Sequence, residues 1–179
     1  MSIYEPSEDS FFISEILRKQ IPKILKKNIN LKFLEIGAGS GFNLKTTESL
    51  GIKKQNIFSC DINTDAVKQC KSLGFRCIKS DLFSKITGKY HIIIFNPPYL
   101  PDDRFDKEKD TSGGKNGDEI ILKFLKQAKN YLEQDGRIFL LMSSFTPMKR
   151  IKKEFGNYQV KLIGKEKLFF EELFVWGLK

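Results

Sequence analysis

Histidine is nearly missing from this chain. Among 179 residues there is one, His91, and it lies inside an apolar run. A histidine zinc site or a Ser-His-Asp relay therefore has almost no material, and a strand histidine with a satisfied ring is the expectation. The three cysteines, Cys60, Cys70 and Cys77, show no Cys-x-x-Cys spacing. They read as reduced thiols of a cytoplasmic protein, not as a disulfide frame or a metal clip. No apolar run approaches the ~20 residues that a membrane helix needs. The opening Met1-Ser2-Ile3-Tyr4-Glu5 lacks the basic-then-apolar pattern of a secretion signal. Internal repeats and low-complexity tracts are missing as well.

What is present is a globular composition, 40% apolar and 30% charged, and a length that fits one domain over residues 1–179. The net charge is +9. A solvated lysine-rich surface accounts for it; so does attraction to an acidic or nucleic-acid-bearing partner, including a ribosome or tRNA nearby.

Strand and helix patterns alternate. A first helix is expected over Glu8–Lys19, capped by Ser7 with Glu8 and Asp9 in its first turn; Pro22 interrupts and residues 26–30 connect. Residues 1–30 thus form an N-terminal helical segment before a core over 31–179. Strands are expected at Leu31–Ile36, Asn56–Cys60, Phe75–Lys79, Tyr90–Phe95 and Arg137–Ser143. Helices fall at Phe42–Leu50, Thr64–Leu73, Glu119–Glu133 and Pro147–Phe155, and 97–118 reads as a loop. Tyr158–Ile163 and Leu168–Trp176 close the chain as an antiparallel strand pair. The pattern is that of an α/β fold: one doubly wound, mostly parallel, seven-stranded sheet with a C-terminal antiparallel pair. Ligands on such sheets sit beyond the carboxyl ends of the strands. Gly37–Gly41, Asp61, Asp81 and Asn96 all fall at such ends.

Asn96-Pro97-Pro98-Tyr99 is the most telling segment. Two prolines fix φ and remove N–H donors just after a buried strand. The Asn96 side-chain oxygen and the Pro97 carbonyl are then acceptors at fixed spacing, suited to a planar –NH2 group. Tyr99 can pack on that planar group. The turn Gly37-Ala38-Gly39-Ser40-Gly41 reads GxGxG, not the GxGxxG of dinucleotide sites, and no P-loop lysine follows. Asp61 can accept both hydroxyls of a ribose. Asp81 can accept an adenine N–H, Leu82 and Phe83 can cover ring faces, and Glu35 can accept from an ammonium. These carboxylates suit a cationic ligand with a nucleoside end and an amino-acid end.

LEIGAGSG (34–41), Asp61, SDLF (80–83) and NPPY (96–99) resemble class I S-adenosylmethionine-dependent methyltransferases. In that superfamily NPPY-type motifs mark methylation of planar nitrogens, in glutamine amides or exocyclic base amines. Tyr4-Glu5-Pro6-Ser7-Glu8-Asp9-Ser10, Gly113–Gly117 and Glu171–Val175 further resemble the short archaeal and eukaryotic HemK-like release-factor glutamine methyltransferases. The resemblance implies S-adenosylmethionine contacts from Ser10, Glu35, Gly37, Gly39, Gly41, Asp61, Asp81, Leu82 and Asn96. It implies substrate contacts from Asn96, Pro97, Pro98 and Tyr99. The substrate it implies is the glutamine of the GGQ loop in a class I peptide chain release factor. It implies a small zinc-ribbon activator on the edge strand Phe75–Lys79, and no room for the N-terminal helical domain of longer bacterial relatives. The charged segment 100–115 departs from the pattern. A DNA or RNA adenine-N6 methyltransferase stays open, because both targets are flat –NH2 groups; so does a non-catalytic cofactor-binding module.

Overall fold

The computed structural model describes residues 3–98 and 114–179. Helix α1 (Glu8–Leu25) buries Phe12, Ile13, Ile16, Leu17 and Ile21, spaced to line one face. It runs through Pro22 where an interruption was expected. Pro22 sits in the last turns, its carbonyl still accepts from Lys26 N–H, and Ile21 anchors the turn in the core.

Strands β1 (Phe33–Ile36), β2 (Ile57–Asp61), β3 (Arg76–Lys79) and β4 (Tyr90–Phe95) are parallel, with α2 (Phe42–Ser49) and α3 (Thr64–Ser72) between them. Helix α4 (Glu119–Ala128) leads through a short 3-10 turn into β5 (Leu132–Ser143). The expected helix to Glu133 is therefore shorter and the strand longer, because Leu132 pairs beside Tyr90 before the register shifts. After α5 (Met148–Phe155), strands β6 (Val160–Lys167) and β7 (Glu172–Leu178) pair antiparallel, each starting and ending later than the apolar pattern suggests. The sheet has seven strands in the order β3-β2-β1-β4-β5-β7-β6.

Alternation along the central strands sorts the core. Ile92, Ile94, Phe139 and Leu141 pack with α1, α2 and α3 on one face. Ile93, Phe95, Ile138 and Leu140 pack with α4 and α5 on the other. The order runs outward in opposite directions from β1 and β4, so the topological switch point lies between them. Ile36 pairs with both Cys60 and Phe95. This sets Gly37, Asp61 and Asn96 side by side on one rim. Among the described residues no helix is long and apolar enough to cross a membrane.

Candidate active site

A cavity of about 520 Å3 opens on that rim, between the ends of β1 and β4. Its wall includes Ser10, Glu35, Gly37, Gly39, Asp61, Asp81, Leu82, Asn96, Pro97 and Pro98, so the residues singled out from sequence converge on one space. Gly41 is not in the wall. Its φ is +79°, and a Cβ there would meet Leu73 and Cys70 at 3.1 and 3.3 Å, so it serves the turn into α2. Phe83 does not cover a ring face in the cavity either: it is buried, stacked on Tyr131. Tyr99, Gly113 and the charged segment to Ser112 lie outside the described residues.

Asn96 is the best-defined group. Its Nδ2 donates to Asp9 Oδ2 at 3.0 Å. Its Oδ1 is buried and has no hydrogen-bond partner among the described residues. Asp9 also accepts the Tyr4 hydroxyl at 2.8 and 2.9 Å and the Ser10 N–H at 2.5 Å. A carboxylate only accepts, so it draws the nitrogen of Asn96 and leaves the oxygen facing away. Burial, and then the Asp9 charge, push the Tyr4 hydroxyl well above its usual range, so it stays a donor. The sequence puts Asp9 in the first turn of the helix and in the Tyr4–Ser10 segment, with no contact to the site assigned to it. Its contact with Asn96, 87 residues away, leaves no local signal beyond the Tyr-x-x-x-x-Asp spacing that lets Tyr4 reach it.

Asp61 ends β2 and accepts two backbone N–H groups, Gly39 at 2.9 Å and Asn63 at 2.8 Å. These bonds fix the carboxylate beside the glycine turn. Glu35, 3% exposed on β1, accepts from Asn43 Nδ2 at 3.1 Å, while its Oε2 has no partner among the described residues. Burial pushes its carboxyl well above the usual range; the Asn43 bond opposes this and nearby Asp61 adds to it. Asn43 is thus a site residue that sequence reading missed. Asp81 is half exposed and paired with Lys123 Nζ at 2.5 Å. Leu82 holds a left-handed backbone, φ +46°, at the cavity wall. Such a conformation costs on the order of 1 kcal/mol and tends to mark functional sites.

A family model described as the methyltransferase small domain matches residues 14–169. The chain belongs to the methyltransferase small domain family. A Methanocaldococcus jannaschii protein whose name provisionally assigns protein N5-glutamine methylation is 36% identical over 97% of this chain and 89% of its own. The Schizosaccharomyces pombe eRF1 methyltransferase catalytic subunit mtq2 is 30% identical, covering 78% of this chain and 71% of that one. The solved E. cuniculi Mtq2–Trm112 complex, described as responsible for methylating the eRF1 termination factor, matches with a TM-score of 0.72. That match covers 100% of this chain and 99% of the other at 23% identity, which speaks to the fold.

Proposed function

We propose that this methyltransferase moves a methyl group from S-adenosylmethionine to the side-chain amide nitrogen of a glutamine in the GGQ loop of a class I peptide chain release factor. The observation that carries the reading is the unpartnered, buried Oδ1 of Asn96, held in place by Asp9. It is an acceptor without a donor, and a buried acceptor left so costs about 1–3 kcal/mol until a donor arrives.

The residues fit the cofactor. The cavity holds a second buried, unpartnered acceptor, Glu35 Oε2, suited to an ammonium. Asp61 is set beside the glycine turn to receive ribose hydroxyls. Asp81 keeps lone pairs beside Lys123 for an adenine N–H, and Leu82 supplies an apolar wall. Once bound, S-adenosylmethionine would supply an electrophilic methyl on a sulfonium sulfur, with the amide nitrogen as its acceptor.

The rest is positioning. An amide lone pair is delocalised and points out of the amide plane, so the plane must be held. Asn96 Oδ1 and the Pro97 carbonyl each take one N–H and aim that face at the methyl. Orientation of this kind can supply several kcal/mol. As N–C bonding grows the N–H groups acidify, so both acceptors gain strength in the transition state. Pro98 stiffens the segment.

The activator reading rests on the sheet edge. β3 ends the sheet, and its outer side pairs with no strand among the described residues. Ile78 on it is 41% exposed. A cavity of about 440 Å3, lined by Phe58, Phe75, Ile78, Arg76 and Lys71, adjoins it. An edge of this kind takes an added strand, which suits a small zinc-ribbon partner.

The test is a labelled-methyl assay with intact release factor, its GGQ→GGA variant, DNA and tRNA side by side. Label in the intact factor alone is expected. Label in nucleic acid, or in the GGA variant, overturns the glutamine assignment.

A further inference from the structure

We propose that Phe169 and Phe170, at the tip of the β6–β7 hairpin, dock the body of the folded protein substrate while its glutamine loop reaches Asn96. The inference rests on the glutamine reading above and adds a second contact surface to it.

Phe169 and Phe170 are 90% and 83% exposed, more than any other large apolar residue described. Their rings meet edge to face at 4.5 Å. Together they show on the order of 300 Å2 of apolar surface, which a soluble chain rarely concentrates in one spot without a use. The turn does not need them. Lys167 pairs with Glu172, and Leu168 N–H donates to the Glu171 carbonyl at 2.8 Å, closing a two-residue tip. Glycine, asparagine and aspartate suit such tips; two phenylalanines do not.

The tip is also held still. Ser143 Oγ donates to the Glu171 carboxylate. Ser144 N–H donates to the Glu172 carbonyl at 2.8 Å, and Glu172 N–H donates to Ser144 Oγ at 3.1 Å. Lys165 and Glu172 form an ion pair at 2.8 Å. The serine contacts staple the hairpin to the end of β5, the strand beside β4, whose end leads into Asn96. A flexible apolar loop would pay ordering entropy on binding; this one is already ordered.

Register places it relative to the site. Phe95 on β4 is level with Leu140 on β5 and Trp176 on β7. Glu172 lies four residues further along, about 13 Å beyond that level at about 3.3 Å per residue, and the tip stands beyond Glu172. Laterally it is two strand spacings, about 10 Å, from β4. The hairpin is therefore a post on the same rim as the cavity, higher than Asn96. A glutamine on a protruding loop could reach Asn96 while the body behind it rests on the post. A peptide of fewer than about five residues could not touch both.

Charge selects the occupant. Lys165 is paired with Glu172, and Glu171 is bound by Ser143. Among the described residues the tip thus has acidic and basic neighbours in near balance, with no cluster of cations for a phosphate backbone or an anionic membrane. An apolar patch on a folded protein fits it.

The test compares intact release factor with a short synthetic GGQ peptide, using the wild-type enzyme (with its activator if activity needs one) and the F169S/F170S variant. For the intact factor, KM is expected to rise tenfold or more with kcat held within twofold. Peptide kinetics and the cofactor Kd are expected to stay within twofold. F169L/F170L should recover most of the lost KM. An unchanged KM for the intact factor overturns the proposal. So does a variant effect seen instead on binding to phosphatidylserine vesicles or tRNA. An intact factor that wild-type enzyme leaves unlabelled overturns the glutamine reading itself, which the tip variants do not probe.

Discussion

Replacing Asp9 by asparagine leaves one oxygen where two now receive Tyr4, Ser10 and Asn96. The new amide also brings N–H donors of its own into a buried space. The least costly repair is to rotate the Asn96 amide, turning its –NH2 toward the cavity and withdrawing the acceptor. D9N should therefore lower kcat about 10–100-fold with the cofactor Kd moved only a few-fold. Steady-state kinetics with calorimetric binding separate the two. Wild-type kcat in D9N would remove Asp9 from its positioning role. Y4F deletes one donor but keeps the Asp9–Asn96 bond, so its effect should be small. Glu35 carries a second residue-level expectation. Its carboxyl is raised by burial, so the folded protein holds that proton more tightly than the unfolded chain. Stability from this group is then greatest near pH 4.5 and below, and falls as pH rises toward the raised value. A cationic ligand favours the carboxylate, so cofactor binding should release a proton and tighten as pH rises through that window. Calorimetry in buffers of different ionisation enthalpy measures the proton. E35Q should bind more weakly and lose the pH dependence; a variant with the wild-type pH profile would remove Glu35 from that role.

At the scale of elements, Gly136 and Gly88 separate two reasons for glycine. A Cβ on Gly136 would come within 2.9 Å of two backbone carbonyls, those of Glu133 and Tyr90, where β5 changes register against β4. Backbone cannot yield as a side-chain tip can, so G136A should cost about 1–3 kcal/mol. Gly88 has φ +82° and nothing within 4 Å of its Cβ position, so G88A should cost only the left-handed strain, about 1 kcal/mol. Urea midpoints rank the two; a larger loss for G88A would reverse the assignment. Gly136 also shows where sequence legibility ends. Its place as punctuation before β5 was readable, but that β5 begins earlier, at Leu132, was not. Residues 132–136 lack the apolar run of the strand proper and are held by pairing beside Tyr90. Pro22 is the mirror case. Local chemistry says stop, yet Ile21 and Ile24 pack on the core and the turn survives.

For the whole molecule, alternation of strand and helix was enough to place Gly37–Gly41, Asp61, Asp81 and Asn96 on one rim, because right-handed crossovers in a parallel sheet leave few other arrangements. Contacts between distant side chains were not readable: the Asp9–Asn96 bond, the Asn43–Glu35 bond and the Lys123–Asp81 pair all depend on how α1, α2 and α4 settle on the sheet. The sheet's own asymmetry yields the last expectation. At one edge β6 is eight residues long; at the other β3 has four residues and a half-exposed isoleucine in its middle. An apolar residue on an edge strand invites pairing, whereas a charge there blocks it. Ile78→Asp should therefore abolish co-purification with a co-expressed zinc-ribbon activator. It should leave the melting temperature of the chain alone nearly unchanged, because Ile78 packs little within its own fold. A pull-down with both chains reads the first outcome and thermal denaturation the second. If the variant still carries the activator through gel filtration, β3 is not the shared edge. If wild-type chain alone is monomeric and fully active on release factor, no partner is required to cover it.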